Sequence, residues 1–162
     1  MFVADRILIP TDFSECSHRA MLAALSFATR FDSAVQVLHV TGRPGSRTYE
    51  ENAATNAEVE ALEADEAALR EAYGTAAAAV AEANGLPTLP ESKLAFTVSG
   101  GDPATEIVRV AEEARTDLIV LGTHGRTSVK DFFVGSTAER VVKNANCAVL
   151  AIKPEGYPYL RD

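Results

Sequence analysis

The chain has 162 residues, enough for one domain, or one domain with an extension, that buries roughly 70% of the surface its unfolded form exposes. Its 23 acidic and 15 basic residues give a formal charge of −8, a field that repels nucleic acid at long range and argues against a role in binding it. Two cysteines in unrelated contexts, Cys16 and Cys147, make neither a disulfide framework nor a zinc motif, and no apolar run approaches the roughly 18 residues of a membrane span.

Met1 to Arg6 lead straight into an apolar segment without a basic leader pattern, so a soluble, cytoplasmic protein with no membrane partner is expected. Arg6 to Pro10 reads as a short buried strand. Thr11-Asp12-Phe13-Ser14 follows as a turn in which Asp12 or Ser14 caps the next helix, placing Asp12 at a strand's carboxyl end. Glu15 to Phe31 forms that helix, with Met21, Leu25 and Ala28 on one stripe, and Val35 to Val40 is the second strand. Thr41 to Arg47 is a Gly/Pro/Ser/Arg connector, and Glu50 to Asn84 is a long Ala/Glu-rich helix closed by Gly85. Within it Val59, Leu62, Leu69, Tyr73, Ala76 and Val80 fall on three- and four-residue steps. That spacing suits either the packed face of a crossover helix or a short coiled-coil seam. Tyr49 is a candidate staple and Gly74 a candidate bend.

Lys93 to Val98 alternates as an edge strand does, and Asp102 at N-cap with Pro103 at N1 starts a third helix whose Ile107, Val110 and Ala111 face the sheet. Leu118 to Leu121 is apolar throughout, as in a strand covered on both faces. Gly122 and Gly125 end it where the backbone needs unusual dihedrals or a ligand's close approach. Gly135-Ser136-Thr137 opens a fourth helix with Ala138, Val141, Val142 and Ala145 in helical period, and Cys147 to Ile152 is the last strand.

Five strands separated by four helical stretches predict an open, doubly wound α/β domain. The expected sheet is parallel, five-stranded and of order 3-2-1-4-5, with helices on both faces. The domain spans residues 1–155, with 156–162 as a tail. Ligands bind at strand carboxyl ends where the winding reverses, which brings Asp12 and the Gly122-to-Gly135 segment to one crevice. There the spacing G-x2-G-x9-G-S/T on a strand, loop and helix aims unpaired N–H groups and the positive end of a helix at whatever occupies it. A phosphate is the usual occupant. With a net charge of −8, backbone dipoles rather than a basic surface must hold it.

Through Leu121 to Thr127, Gly135 to Val142 and Ile7 to Ser14, the chain resembles the ATP-binding branch of the universal stress protein family, across residues 4 to 154. The resemblance implies an adenine nucleotide alpha hydrolase-like fold. It also implies ATP, or AMP or ADP, as ligand, with Mg or Mn held mainly by the phosphates. Pro10, Thr11 and Asp12 match the family's first nucleotide-contacting segment, and Val40 the position whose backbone contacts adenine. Leu121, Gly122 and Gly125 would line the ribose and phosphates, and Gly135, Ser136 and Thr137 would donate to the phosphate end. His124 and Arg126 lie in the loop between them, His124 equally suited to stabilising the loop itself, and Lys130 is equally a solvated side chain. His18 and His39 read as ordinary helix and strand residues. Ser128 stands where many members have Gly or Asn.

The apolar last strand lies at a sheet edge in this order. An open edge is a template for pairing, and the family commonly pairs there, so a homodimer is expected, with Tyr157, Tyr159 and Leu160 over the seam. No Walker lysine motif and no paired carboxylates are present. Binding therefore ranks above catalysis: a dimeric, nucleotide-dependent regulatory module in stress response comes first. A slow ATPase or phosphotransferase using Ser136 or Thr137 is the alternative, and a nucleotide-independent, chaperone-like scaffold is a third.

Overall fold

A computed structural model describes residues 4–42, 56–124 and 135–155. Its elements run β1 (Arg6–Thr11), α1 (Glu15–Phe31), β2 (Ala34–Val40), α2 (Asn56–Asn84), β3 (Leu94–Ser99), α3 (Pro103–Glu113), β4 (Leu118–Gly122), α4 (Ser136–Asn144) and β5 (Ala148–Ile152). The five strands form one parallel sheet of order β3-β2-β1-β4-β5, the order expected above. Among the described residues no helix is long and apolar enough to cross a membrane.

The apolar strands alternate across the pleat, and that alternation builds two cores. Ile7, Ile9, Val35, Val37, Leu118 and Val120 pack on one face against α1 and α2. Leu8, Leu38, Ile119 and Leu121 pack on the other against α3 and α4. Each fully buried Ile or Leu contributes about 1.5–3 kcal/mol of transfer free energy, so both helical layers are needed to cover strands that are apolar on both sides. The winding reverses between β1 and β4. Helices leave these neighbouring strands toward opposite faces, which opens a crevice beyond their carboxyl ends.

Caps set the helix limits. Ser14 accepts from the Ser17 N–H at the start of α1, and Asp32, left-handed at φ 59°, closes its end. Asp102 accepts from the Thr105 N–H and Pro103 occupies the first turn of α3, as the sequence predicts. A 3-10 turn over Glu91–Lys93 moves the start of β3 to Leu94, one residue later than expected.

Along α2 the buried side chains are Leu69, Tyr73, Ala76, Ala77 and Val80, packed in the core that includes α1, while Val59 is 39% exposed. The periodic stripe is thus the packed face of a crossover helix over its second half, not a continuous seam. Gly74 neither splits nor ends the helix. Tyr49 lies outside the described residues.

Candidate functional site

A crevice of about 390 Å³ lies at the carboxyl ends of β1, β2 and β4 and beside the start of α4. Pro10, Thr11 and Asp12 line it from β1 and the turn that follows. Val40 lines it from the end of β2, Leu121, Gly122 and His124 from β4 and beyond, and Gly135, Ser136 and Thr137 from the start of α4. Gly125, Arg126, Ser128 and Lys130 lie outside the described residues.

The Asp12 turn is held by hydrogen bonds whose directions are determined. The Phe13 N–H donates to Thr11 Oγ1 at 3.1 Å, Ser17 Oγ donates to the Ser14 carbonyl at 2.9 Å, and Thr11 Oγ1 and Ser17 Oγ are 3.0 Å apart. Because the Ser17 hydroxyl hydrogen is committed to that carbonyl, the Thr11 hydroxyl donates to Ser17. Asp12 Oδ1 accepts from the Ser14 N–H at 3.0 Å, so helix capping falls to Ser14 and the carboxylate braces the turn. Phe13 lies at φ 62°, a left-handed conformation that strains a bulky residue by about 1–3 kcal/mol.

On the opposite wall the N–H of Thr123 donates to the Ile152 carbonyl at 2.9 Å and that of Gly135 to the Thr123 carbonyl at 2.7 Å. These bonds seat the start of α4 beside the end of β4. Gly135 offers no side-chain cap, so the first-turn N–H groups of α4 reach the crevice without a competing side chain from their own cap. Ile107, Leu38 and Val40 supply apolar wall, the setting a flat heterocycle needs. Asp12 is the one carboxylate among the described lining residues, and no Lys or Arg is among them.

Two expectations change. Gly122 has no left-handed φ, and its place in the crevice wall comes with a packing reason for glycine: a Cβ there would lie 2.9 Å from the Cys16 carbonyl carbon and 3.0 Å from its Sγ, so glycine admits the first turn of α1 against β4. His39 is no ordinary strand residue. It lines the crevice, its Nδ1 is 2.8 Å from the Thr11 carbonyl oxygen, and its ring centroid is 4.5 Å from that of Phe13. A histidine one residue before a strand's carboxyl end was the available signal. Gly42, at φ 67°, Pro103 and Ile107 also line the crevice unforeseen. His124 lines the crevice and has a contact to the preceding residue, its Nδ1 lying 2.8 Å from Thr123 Oγ1.

Among the described residues no three or more His, Cys, Asp or Glu side chains gather as a metal site. Cys16 and Cys147 are both free thiols. The Cys16 thiol donates to the Ile152 carbonyl, and burial pushes the Cys147 thiol above its ordinary pKa.

The family model described as "Universal stress protein family" matches residues 4–153. A universal stress protein of Methanocaldococcus jannaschii is 35% identical over 154 residues, 91% of this chain and 81% of that protein. The solved universal stress protein UspA from Lactobacillus plantarum superposes with a TM-score of 0.70 at 29% identity, covering 93% of this chain and 98% of that one. The universal stress protein from Archaeoglobus fulgidus, solved in complex with dAMP, superposes with a TM-score of 0.58 over 94% of this chain and all of that one. At 22% identity this last likeness is one of fold.

Proposed function

Because the chain belongs to the universal stress protein family, we propose that it is an ATP-binding module whose crevice between β1 and β4 holds the nucleotide and whose associations follow nucleotide state. The observation that carries this reading is the crevice itself: one apolar wall, one carboxylate at a strand end and one helix N-terminus, all within about 390 Å³. In this reading the base lies against Val40 and Ile107, and Pro10, Thr11 and Asp12 meet the nucleoside, Asp12 by accepting from a ribose hydroxyl. Leu121, Gly122 and Gly125 line the ribose and phosphates. Gly135, Ser136 and Thr137 donate to the phosphate end, with His124 beside it. Mg or Mn is held mainly by the phosphates, a division of labour that suits a crevice with one lining carboxylate.

The functional unit in this proposal is a cytoplasmic homodimer joined along β5, its nucleotide domain spanning residues 1–155 with a short tail beyond. A slow phosphoryl-transfer activity is the second reading, motivated by the Ser136 and Thr137 hydroxyls at the phosphate end of the crevice.

A thermal-shift titration with MgATP tests the proposal, since ligand at 100 times its dissociation constant adds about 2.7 kcal/mol of stability. Asp12→Ala should then lose one charge-assisted hydrogen bond, about 1.5–3 kcal/mol or roughly tenfold to a hundredfold in affinity. Absence of any shift in the wild-type protein favours the scaffold reading. Phosphate released in step with binding moves the assignment to a slow ATPase.

A further inference from the structure

We propose that His39 is a positioning residue for nucleotide binding, holding the Asp12 turn in its working shape from the neighbouring strand. The inference rests on the nucleotide reading above and adds to it a residue that acts through the Asp12 turn. Register makes the contact possible: β1 and β2 run parallel with Thr11 paired to His39, so the imidazole stands beside the last carbonyl of β1. A carbonyl can only accept, so Nδ1 carries the hydrogen in the 2.8 Å contact.

The turn needs an outside hold because its own geometry opposes it. Phe13 sits at φ 62°, where a side chain with a Cβ is disfavoured, and a relaxed φ at Phe13 would reorient the peptides on either side of it, including the one that follows Asp12. Inside the turn, the Phe13 N–H is tied to Thr11 Oγ1 and the Ser14 N–H to Asp12 Oδ1. From outside, His39 grips twice: its ring lies at 44° to the Phe13 ring with centroids 4.5 Å apart, and its N–H holds the Thr11 carbonyl. Fixing the residues before and after Asp12 fixes the carboxylate between them, and a carboxylate already in place loses less freedom on binding.

The division between ring and hydrogen bond sets the variants. His39→Phe keeps an aromatic ring against Phe13 and loses the donor; His39→Asn loses the ring and keeps a side-chain N–H at the same branch point. MgATP affinity is measured by calorimetry for wild type, both variants, Asp12→Ala and the double variant Asp12→Ala/His39→Phe, with folding followed by circular dichroism.

The expected result is a loss of roughly tenfold in His39→Phe, the scale of one hydrogen bond, and recovery to within about threefold of wild type in His39→Asn. Adding His39→Phe to Asp12→Ala should cost little more, because the first residue acts through the second. Should His39→Phe fail to fold, near-wild-type affinity in His39→Asn still supports the role, and a loss of tenfold or more in it overturns the role. Wild-type affinity in His39→Phe, or independent multiplication of the two losses, overturns it while leaving the nucleotide reading intact. A wild-type protein that binds no MgATP overturns both.

Discussion

Gly122 shows how one missing methyl group serves the fold at the edge of a candidate site. A Cβ at that position would lie 2.9 Å from the carbonyl carbon of Cys16 and 3.0 Å from its oxygen, and helix backbone cannot yield as a flexible side chain does. Gly122→Ala should therefore push α1 off β4 and destabilise the domain by about 1–3 kcal/mol, the usual effect of overpacking. For a chain of this size that lowers the melting temperature by roughly 2–4 °C per kcal/mol, readable by calorimetry without nucleotide. An unchanged melting temperature would show that the α1 start relaxes freely. The Asp12 turn makes the complementary point: a strained Phe13 is tolerated where surrounding hydrogen bonds and a ring contact over-determine it.

At the scale of elements, α2 and the α3–α4 pair each carry a prediction. Gly74 lies inside α2, and a Cβ there would meet nothing within 4 Å, so its cost to the helix is unrelieved by packing. Gly74→Ala should stabilise the protein by about 1 kcal/mol, the propensity difference between the two residues, as a higher urea midpoint at unchanged slope. α3 and α4 are joined by Asp102, which caps α3 through Thr105 and accepts from both terminal nitrogens of Arg140 at 2.6 and 2.9 Å. The Arg140 guanidinium, and after it the Thr105 hydroxyl, hold the Asp102 carboxyl well below the ordinary carboxylate range. A carboxylate so held stabilises the fold fully above its ordinary value of 3.8 and loses that contribution as pH falls through the lower, folded value. Asp102→Asn, which keeps a capping oxygen but no charge, should be less stable than wild type at pH 7 by about 1 kcal/mol or less, because the pair is half exposed. The gap should narrow below about pH 4. Urea titrations at pH 7 and pH 3 check it, and a gap that widens in acid would reverse the assignment.

For the whole molecule the open question lies at the sheet edges. β3 carries α2 packed over it, whereas on β5 Ala148 and Ala151 are exposed and Val149, Leu150 and Ile152 only half buried. An apolar edge of this kind is a template for a second strand, and a two-fold partner would close it on itself. Wild-type protein at tens of micromolar should scatter light as twice the chain mass, and Ala151→Arg, placing a charge at an exposed edge position, should return it to a monomer with unchanged circular dichroism. A monomeric wild type would remove β5 as the interface.

Local signals carried much of this protein. Four branched apolar residues in Leu118 to Leu121, the Asp102-Pro103 start of α3 and the stripe Met21, Leu25 and Ala28 each specify an element through backbone sterics and side-chain period. Their alternation along the chain was enough for a parallel sheet, while its order came from placing Asp12 and the Gly122-to-Gly135 segment at one switch point, as the family resemblance implies. Properties that depend on register and packing were out of reach, because side-chain period states which face a residue takes and not what it will meet there. Gly122 looked like a ligand position and is also the seat of a helix turn, and the six-residue stripe of α2 resolved into a crossover face only once α1 lay against it. Asp102 and Arg140, 38 positions apart, met only when both helices packed on the same side of the sheet. His39 acquired its role from the strand beside it, since only the pairing of β1 with β2 sets its imidazole against the carbonyl of Thr11.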